Sequence, residues 1–355
     1  MKKKHQITIK DIAKKLNISP STVSRALKDH PDINLKTRDA VKEMARKYNY
    51  RPNKIALSLL QNQSKTIGVI IPEITHHFFS SVISGIEDVF YQENYNIIIC
   101  QSQESYEREI KNVQTLLSSH IDGILMSISK ETKKLDHIRN IHEVGLPLVF
   151  FDRIAEEIDT DKVIVDDFGG GFKATEHLIN IGCKRIAHLY GPLNLLIGRN
   201  RFNGYKKALE DHNMSLNPEL TVFCDSYEKA LTETQKLLQL PYPPDGIFAV
   251  NDITAIGAMK IIKDMGYKIP TDISVVGFTN WLISRFAEPT LTTIDQKGYL
   301  MGTEAARLLL ERINNEASSK ESPPITKLLD SELIIRESTK SLQQEDLHTP
   351  KTKES

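Results

Sequence analysis

The side chains of this 355-residue chain best suited to a specific chemical task lie near its N-terminus, in Ser19-Pro20-Ser21-Thr22-Val23-Ser24-Arg25-Ala26-Leu27-Lys28. A helix that begins at Pro20 turns Val23, Ala26 and Leu27 inward and leaves Ser21, Thr22, Arg25 and Lys28 outward. Hydroxyls and a guanidinium on the first turns of an exposed helix are the groups that read base edges in a DNA major groove. Arg25 is the strongest single candidate, since a guanidinium pairs bidentately with guanine O6 and N7 for about 1–3 kcal/mol of discrimination. Lys10 joins this DNA-binding set. The charge agrees: the first sixty residues hold fifteen Lys and Arg against five Asp and Glu, in a chain with 46 of each kind. An N-terminal part at +10 inside a chain of zero net charge points to a polyanion as partner.

Those side chains need elements to hold them. The spacing of Ile12, Ala13 and Leu16 predicts a first helix over Ile9 to Leu16, and Asn17-Ile18-Ser19 is the turn. Ser19 caps the second helix, and Pro20 at its first position has no N–H to leave unpaired. A third helix, capped by Asn34, runs from about Leu35 to Tyr48 and buries Val41, Met44, Ala45 and Tyr48. Two short helices around a tight turn, closed by a third, make a helix-turn-helix unit over 1–52. A small basic unit of this kind also suits protein docking, but turn chemistry, inward stripe, outward polar set and charge coincide. Asn53 can cap a further short helix through Lys54-Ile55-Ala56-Leu57-Ser58-Leu59-Leu60, too short to stand alone in water.

From Lys65 onward, apolar runs alternate with amphipathic stretches. Runs at 66–72, 96–100, 122–126 and 148–152 read as strands buried on both faces, and a like set recurs at 185–192, 220–223, 245–250 and 273–278. The fold class is therefore α/β: a small all-α head and a body of two similar α/β subdomains with a cleft at their strand C-termini. Side chains at strand ends become candidates for binding a small molecule: Phe78 and Phe79 after the first strand, where core packing is equally expected, and Asp152 and Arg153 after the fourth.

Head and body together resemble the lactose/galactose repressor (LacI/GalR) family of bacterial transcription regulators, over about residues 8–337. The resemblance implies a homodimer on a near-palindromic operator, with a hinge helix and linker over 53–64. It places Leu59 at the wedge that enters the minor groove and adds Asn53 to the DNA-binding positions. The family commonly has an arginine where this chain has Leu57, and Pro20 replaces a side chain that often touches DNA. The body resembles periplasmic sugar-binding proteins, with three chain crossings. Subdomain one is expected over about 65–163 and 295–322, subdomain two over about 164–294 and 323–337, and a loose tail over 338–355. At matched positions, Arg201 and Asn251 become ligand-binding candidates, with Phe248, Thr279 and Trp281 beside them. Many sugar-responsive members carry an aspartate where this chain has Thr279. Asp252 is expected to cap the following helix.

Enzyme readings lack their motifs. There is no GxxxxGK[ST], no GxGxxG after a strand and no GxSxG, and Asp167-Phe168-Gly169 has no kinase lysine strand or catalytic loop around it. Cys100, Cys183 and Cys224 have neither metal nor disulfide spacing, His76 and His188 form no metal motif, and no cofactor or catalytic residue is expected. With no signal-peptide stretch and no apolar run of membrane-spanning length, a cytoplasmic regulator is expected. Its effector is most simply a sugar, for which Asp152, Arg201, Asn251 and aromatic rings are suited. A purine or other metabolite is the alternative, as is a sugar sensor that binds no DNA.

Overall fold

The computed structural model describes residues 7–50, 63–75, 77–315 and 323–341. The chain divides into two compact units, Met1–Lys65 and Thr66–Ser355. Asn53, Leu57 and Leu59, and with them the expected hinge helix, lie outside the described residues, as does His76.

In the first unit, α1 (Ile9–Leu16), α2 (Pro20–Leu27) and α3 (Leu35–Lys47) begin at side-chain caps. Thr8 and Asp11 cap each other reciprocally, Ser19 Oγ accepts from Thr22 N at 3.1 Å, and Asn34 Oδ1 accepts from Thr37 N at 2.8 Å. Each cap satisfies a backbone donor that the helix itself cannot, worth about 1 kcal/mol. Asn17 takes the left-handed conformation, φ 54°, that ends α1 and turns the chain into α2. Ile12, Ala13, Val23, Ala26 and Val41 form the buried centre. Tyr48, expected in that core, is exposed instead: it lies past the end of α3, and the Lys15 ammonium sits 4.8 Å above its ring.

The second unit holds two six-stranded sheets. The first has the order β11-β5-β4-β3-β1-β2, from β1 (Thr66–Ile71), β2 (Asn96–Gln101), β3 (Gly123–Met126), β4 (Leu148–Phe151), β5 (Asp161–Val165) and β11 (Thr326–Leu329). The second has the order β12-β10-β9-β8-β6-β7, from β6 (Ile186–Tyr190), β7 (Thr221–Phe223), β8 (Gly246–Ala249), β9 (Ser274–Thr279), β10 (Thr292–Asp295) and β12 (Glu332–Ile334). All pairings are parallel except β10 with β12. The helices α4 (His77–Gln92), α5 (Tyr106–Ser118), α6 (Asp136–Glu143), α7 (Asp167–Asn180), α8 (Leu196–Asp211), α9 (Tyr227–Leu238), α10 (Asp252–Asp264), α11 (Ile283–Phe286) and α12 (Gly298–Asn315) supply the crossovers.

Three expectations need correction. Strand β2 is not buried on both faces: as an edge strand it leaves Ile98 and Ile99 38% and 41% exposed. The last crossing falls after 329 and not at 323, because β11 pairs with β5 in the first sheet and only β12 returns to the second. Nor does order end at 337. Ser338 and Thr339 are buried, with Ser338 Oγ donating to Val275 O at 2.6 Å and Thr339 Oγ1 hydrogen-bonded to His177 Nε2 and Thr292 Oγ1, each at 2.9 Å. Backbone and hydroxyl bonds to a sheet hold a segment whose composition alone lacks the apolar area to do so.

On the first sheet α4 and α12 cross with backbones almost touching. A Cβ built on Gly85 would stand 2.2 Å from Tyr299 O, and one on Gly302 would stand 2.0 Å from Val82 O. We expect Gly85→Val to destabilise the body by about 3 kcal/mol through overpacking. Gly145→Ala, in open space at φ 73°, should cost about 1 kcal/mol from backbone strain alone. Urea unfolding of the two variants checks this; equal losses would mean that the helix crossing is not tight.

Candidate effector cleft and DNA-reading face

On the first unit, Lys10, Ser21, Arg25 and Lys28 are exposed and Thr22 is half-buried. None of the three cations is in an ion pair among the described residues, so their charge is available to an outside anion. The hydroxyls of Ser21 and Thr22 lie 2.7 and 2.8 Å from Ser19 Oγ. They share the cap of the helix whose outer face they line, so any base they contact competes with that local bond.

In the second unit a cleft of about 370 Å³ opens between the lobes. Strand carboxyl ends and first helical turns line it, where unpaired backbone groups and polar side chains converge. Of the expected ligand residues, Phe78, Phe79, Asp152, Arg153, Arg201, Asn251, Thr279 and Trp281 all reach this wall. Phe248 does not. It is fully buried in β8, where it stacks on His188 at 4.5 Å with rings 5° apart. Burial pushes His188 down to about 4, and its Nδ1 is 2.9 Å from Phe248 O, so it is a neutral core histidine. Phe78 and Phe79 are mostly core: 8% and 2% exposed, edge to face at 5.3 Å.

Arg201 is 4% exposed. Its Nε donates to Asp167 at 2.7 Å, its Nη1 to Val250 O at 2.7 Å, and its guanidinium lies 3.8 Å above the Phe278 ring. No acceptor pairs with its Nη2 among the described residues. Asn251, and not Asp252, caps α10: Asn251 Oδ1 accepts from Thr254 N at 2.9 Å. That leaves the Asn251 amide NH₂ for the cleft. Asp252 holds the opposite loop, accepting from Trp281 N at 2.6 Å and from the Thr293 hydroxyl. The loop starts at Thr279, φ 123°, and Asn280, φ 55°, two non-glycine residues in left-handed space. Such strain persists only where the surroundings enforce it.

The cleft is acidic. Six carboxylates, Glu73, Glu104, Asp152, Asp225, Glu228 and Asp252, line it with three fixed cations, Lys130, Arg153 and Arg201. Each cation has a carboxylate partner: Lys130 with Asp225 at 3.4 Å, Arg153 with Glu104 at 2.8 Å, and Arg201 with Asp167 at 2.7 Å. Burial pushes the Asp152 carboxyl up to about 7 against the opposing pull of Arg153, and it pushes Asp252 up to about 7 as well. Burial also raises Glu104, but the Arg153 charge and the Lys130 N–H outweigh it and hold the group below the ordinary carboxylate range.

Polar contacts bridge the lobes at the cleft mouth. Lys130 reaches Asp225, its carbonyl accepts from Asn194 Nδ2 at 2.8 Å, and Arg199 pairs with Glu156. The loop that carries Lys130 is held from behind by buried Glu109, which accepts from Ser129 N at 2.6 Å, Thr132 Oγ1 at 2.8 Å and His137 Nε2 at 2.8 Å. Sequence reasoning missed Glu73, Glu104, Lys130, Asp225 and Gln296, which line the cleft. All five follow a strand by a few residues, so the strand-end rule applied to every strand would have found them. Among the described residues no group of three or more His, Cys, Asp and Glu is placed to hold a metal, and no helix is long and apolar enough to cross a membrane.

Comparison with known proteins accords with this two-part geometry. Residues 8–53 match the family described as bacterial regulatory proteins, lacI family, and residues 64–336 match periplasmic binding proteins and sugar binding domain of LacI family. The transcriptional repressor CytR of Escherichia coli K12 is 34% identical over 338 residues, covering 94% of this chain and 97% of its own. The ribose operon repressor of Halalkalibacterium halodurans is 32% identical, covering 94% and 97%. A crystal structure of the lac repressor dimer bound to operator and the anti-inducer ONPF superposes with a TM-score of 0.82 at 26% identity, covering 95% of this chain and all of that one. This chain belongs to the LacI family, and it is a DNA-binding transcriptional regulator with an effector-binding domain.

Proposed function

We propose that this regulator is a repressor that reads a near-palindromic operator as a homodimer, and that its effector is an uncharged, hydroxyl-rich molecule, a sugar in the simplest case. The observation that carries the effector class is the pairing of every fixed cation in the cleft with a carboxylate. A phosphate or carboxylate ligand could reach Arg201 Nη2 without breaking a pair, but it would meet cations whose charge is already balanced and would face the remaining acids. Sugar hydroxyls are donors, and an acid-rich wall supplies acceptors for them. Trp281 and Tyr227 add apolar surface for a ring face. One of the relatives is a ribose operon repressor. The dimer and the operator rest on the likeness to the lac repressor complex, together with the unpaired cations of the α2 face. A regulator of this kind needs no catalytic group, and its place of action is the cytoplasm, where its DNA is.

In this reading Arg25 discriminates between bases, Ser21 and Thr22 assist it, and Lys10 and Lys28 hold phosphates. Asn53 and Leu59 keep their expected roles at the hinge. In the cleft, ionised Asp152 accepts ligand hydroxyls, while Arg153, Asn251 and Arg201 Nη2 donate. Arg201 has a second duty, since its removal would leave Asp167 buried and unpaired, at about 3–5 kcal/mol. Arg201→Ala therefore tests stability before it tests binding, and Asp152→Asn is the cleaner probe.

Three outcomes are expected. In fluorescence anisotropy, Arg25→Ala should lose about 1–3 kcal/mol of discrimination between operator and scrambled DNA. Lys28→Ala should weaken both complexes alike and reduce the salt slope by about one; unchanged discrimination in Arg25→Ala would remove that residue from base reading. In a thermal-shift and calorimetric screen, a neutral sugar should bind at least about tenfold more tightly than its phosphate ester, about 1.4 kcal/mol. Tighter binding of the ester would refute the charge argument. The third concerns pH. A carboxyl raised to about 7 by burial makes the folded chain bind more protons than the unfolded chain between its ordinary value of 3.8 and 7, so its contribution to stability falls as pH rises through that window. Asp152→Asn should thus raise Tm most at pH 8, less at pH 5 and least below pH 4, with Asp252 contributing the same background to both proteins. Effector affinity of the wild type should increase from pH 6 to 8 and that of Asp152→Asn should be weak and flat; a pH-independent wild type would rule out ionised Asp152 as the acceptor.

A further inference from the structure

The loop after β9 brings Trp281, the only tryptophan of the chain, to the cleft wall, and its backbone is held in an unfavourable form. Thr279 at φ 123° and Asn280 at φ 55° are in left-handed space without being glycine, and such residues keep that form only where surrounding contacts enforce it. Asp252 supplies one contact from α10, accepting from Trp281 N at 2.6 Å. A second set comes from far along the chain, from Arg336, two residues past β12.

Arg336 is half-buried, and its two terminal nitrogens grip the chain before and after Trp281. Nη2 donates to Asn280 Oδ1 at 2.7 Å, while Nη1 donates to Ser284 Oγ at 3.0 Å and to Leu291 O at 2.7 Å. The Ser284 hydroxyl in turn donates to Trp281 O at 2.6 Å. Residues 280 and 284 are thus clasped by one planar fork, a reach that the single ammonium of a lysine does not have. The fork has a fixed base, since Arg336 N donates to Thr292 Oγ1 at 2.8 Å and the neighbouring Ser338 Oγ donates to Val275 O at 2.6 Å. The other arm of Asn280, its amide, donates to Asp295 Oδ2 at 3.1 Å. Asp295 ends β10 just before the chain passes to α12 on the first sheet, and Arg336 follows β12 just after the chain returns. Both side-chain bonds of Asn280 therefore run to segments next to lobe crossings.

We propose that Arg336 is a positioning residue of the effector cleft: its fork holds the left-handed Thr279-Asn280 backbone and thereby sets the Trp281 ring on the cleft wall. Arg336 is not part of the cleft lining and acts through Asn280 and Ser284. Its removal takes the donor from Asn280 Oδ1 and lets the loop leave its positive-φ form, with Trp281 more open to solvent. The inference rests on the reading of this cleft as the effector site, and its test uses no effector, so a wrong sugar class would leave it standing.

The test is acrylamide quenching of the Trp281 fluorescence in the full chain, where no other tryptophan contributes. Arg336→Ala should raise the quenching constant about twofold and move the emission to longer wavelength, as local opening of the loop requires. Ser338→Ala is the control: it loosens the same terminal segment through its bonds to Val275 and Thr292 and should lower Tm, yet leave the quenching constant at the wild-type value. Arg336→Lys keeps the charge but not both arms and should fall between Arg336→Ala and the wild type; it carries the test if Arg336→Ala fails to fold. A wild-type quenching constant in whichever of these two variants carries the test would overturn the inference. So would an equal rise in Ser338→Ala, since Arg336 would then only stabilise the segment it belongs to.

Discussion

The guanidinium of Arg201 is the joint on which the second lobe depends. It belongs to α8, binds the first residue of α7 through Asp167, holds the carbonyl that follows β8 through Val250, and rests on Phe278 of β9. Four elements meet at one planar, always-charged group, which explains why an arginine and not a lysine stands there. The helices that carry the pair approach closely enough to require glycine: a Cβ on Gly171 would lie 2.4 Å from Arg201 O, and one on Gly204 2.2 Å from Phe168 O. Burial raises the Asp167 carboxyl, and the Arg201 charge opposes that rise, so the pair is stable only as a pair.

Around this joint the cleft concentrates electrostatic cost. Asp152 and Asp252 are both pushed up to about 7 by burial, and Asp152 takes a left-handed backbone conformation at φ 60° to stand where it does. Neither arrangement serves stability, since an ionised carboxylate without full compensation disfavours the folded state. Sites that bind ligands commonly retain such groups because the ligand supplies the missing partners. The two carboxylates differ: Asp252 is saturated by the Trp281 N–H and the Thr293 hydroxyl and orders the loop, while Asp152 has, among the described residues, only Arg153, at 3.8 Å, as a side-chain partner. Across the mouth, Lys130, Asn194, Asp225, Arg199 and Glu156 connect the lobes by polar contacts, of which the Arg199–Glu156 pair is half-exposed and individually weak.

The DNA-reading unit is organised by different means. Its buried centre is small, so its helices depend on their ends: the Thr8 and Asp11 capping box, Ser19 before Pro20, and Asn34. These are local interactions between residues three apart, and they leave the outer face of α2 free of ion pairs. Structure and charge are thereby separated, since the groups that stabilise the unit are caps and a few apolar side chains, and the cations remain available to an outside anion.

What the amino-acid sequence determined by itself follows from that locality. Helix bounds in the head, the inward and outward sets of α2, and most body strands were legible because caps, periodicity and apolar runs act over a few residues. Family resemblance extended this to the placement of Arg201 and Asn251 on the cleft wall. Tertiary structure decided the rest, wherever a residue's environment is set by distant neighbours. Strand β2 reads like a central strand, but only its place at the sheet edge exposes Ile98 and Ile99. Phe248 sits one residue from a strand end, and the alternation of β8 sends it into the core against His188. Asn251 and Asp252 are adjacent and both able to cap; the loop at Trp281, nearly thirty residues later, takes one and leaves the other. The ordering of Ser338 and Thr339 depends on partners at Val275, Thr292 and His177, which no local pattern near 338 contains. The pairing of every cleft cation is likewise a sum of contacts between segments far apart in the chain, and such sums exist only once the lobes have folded.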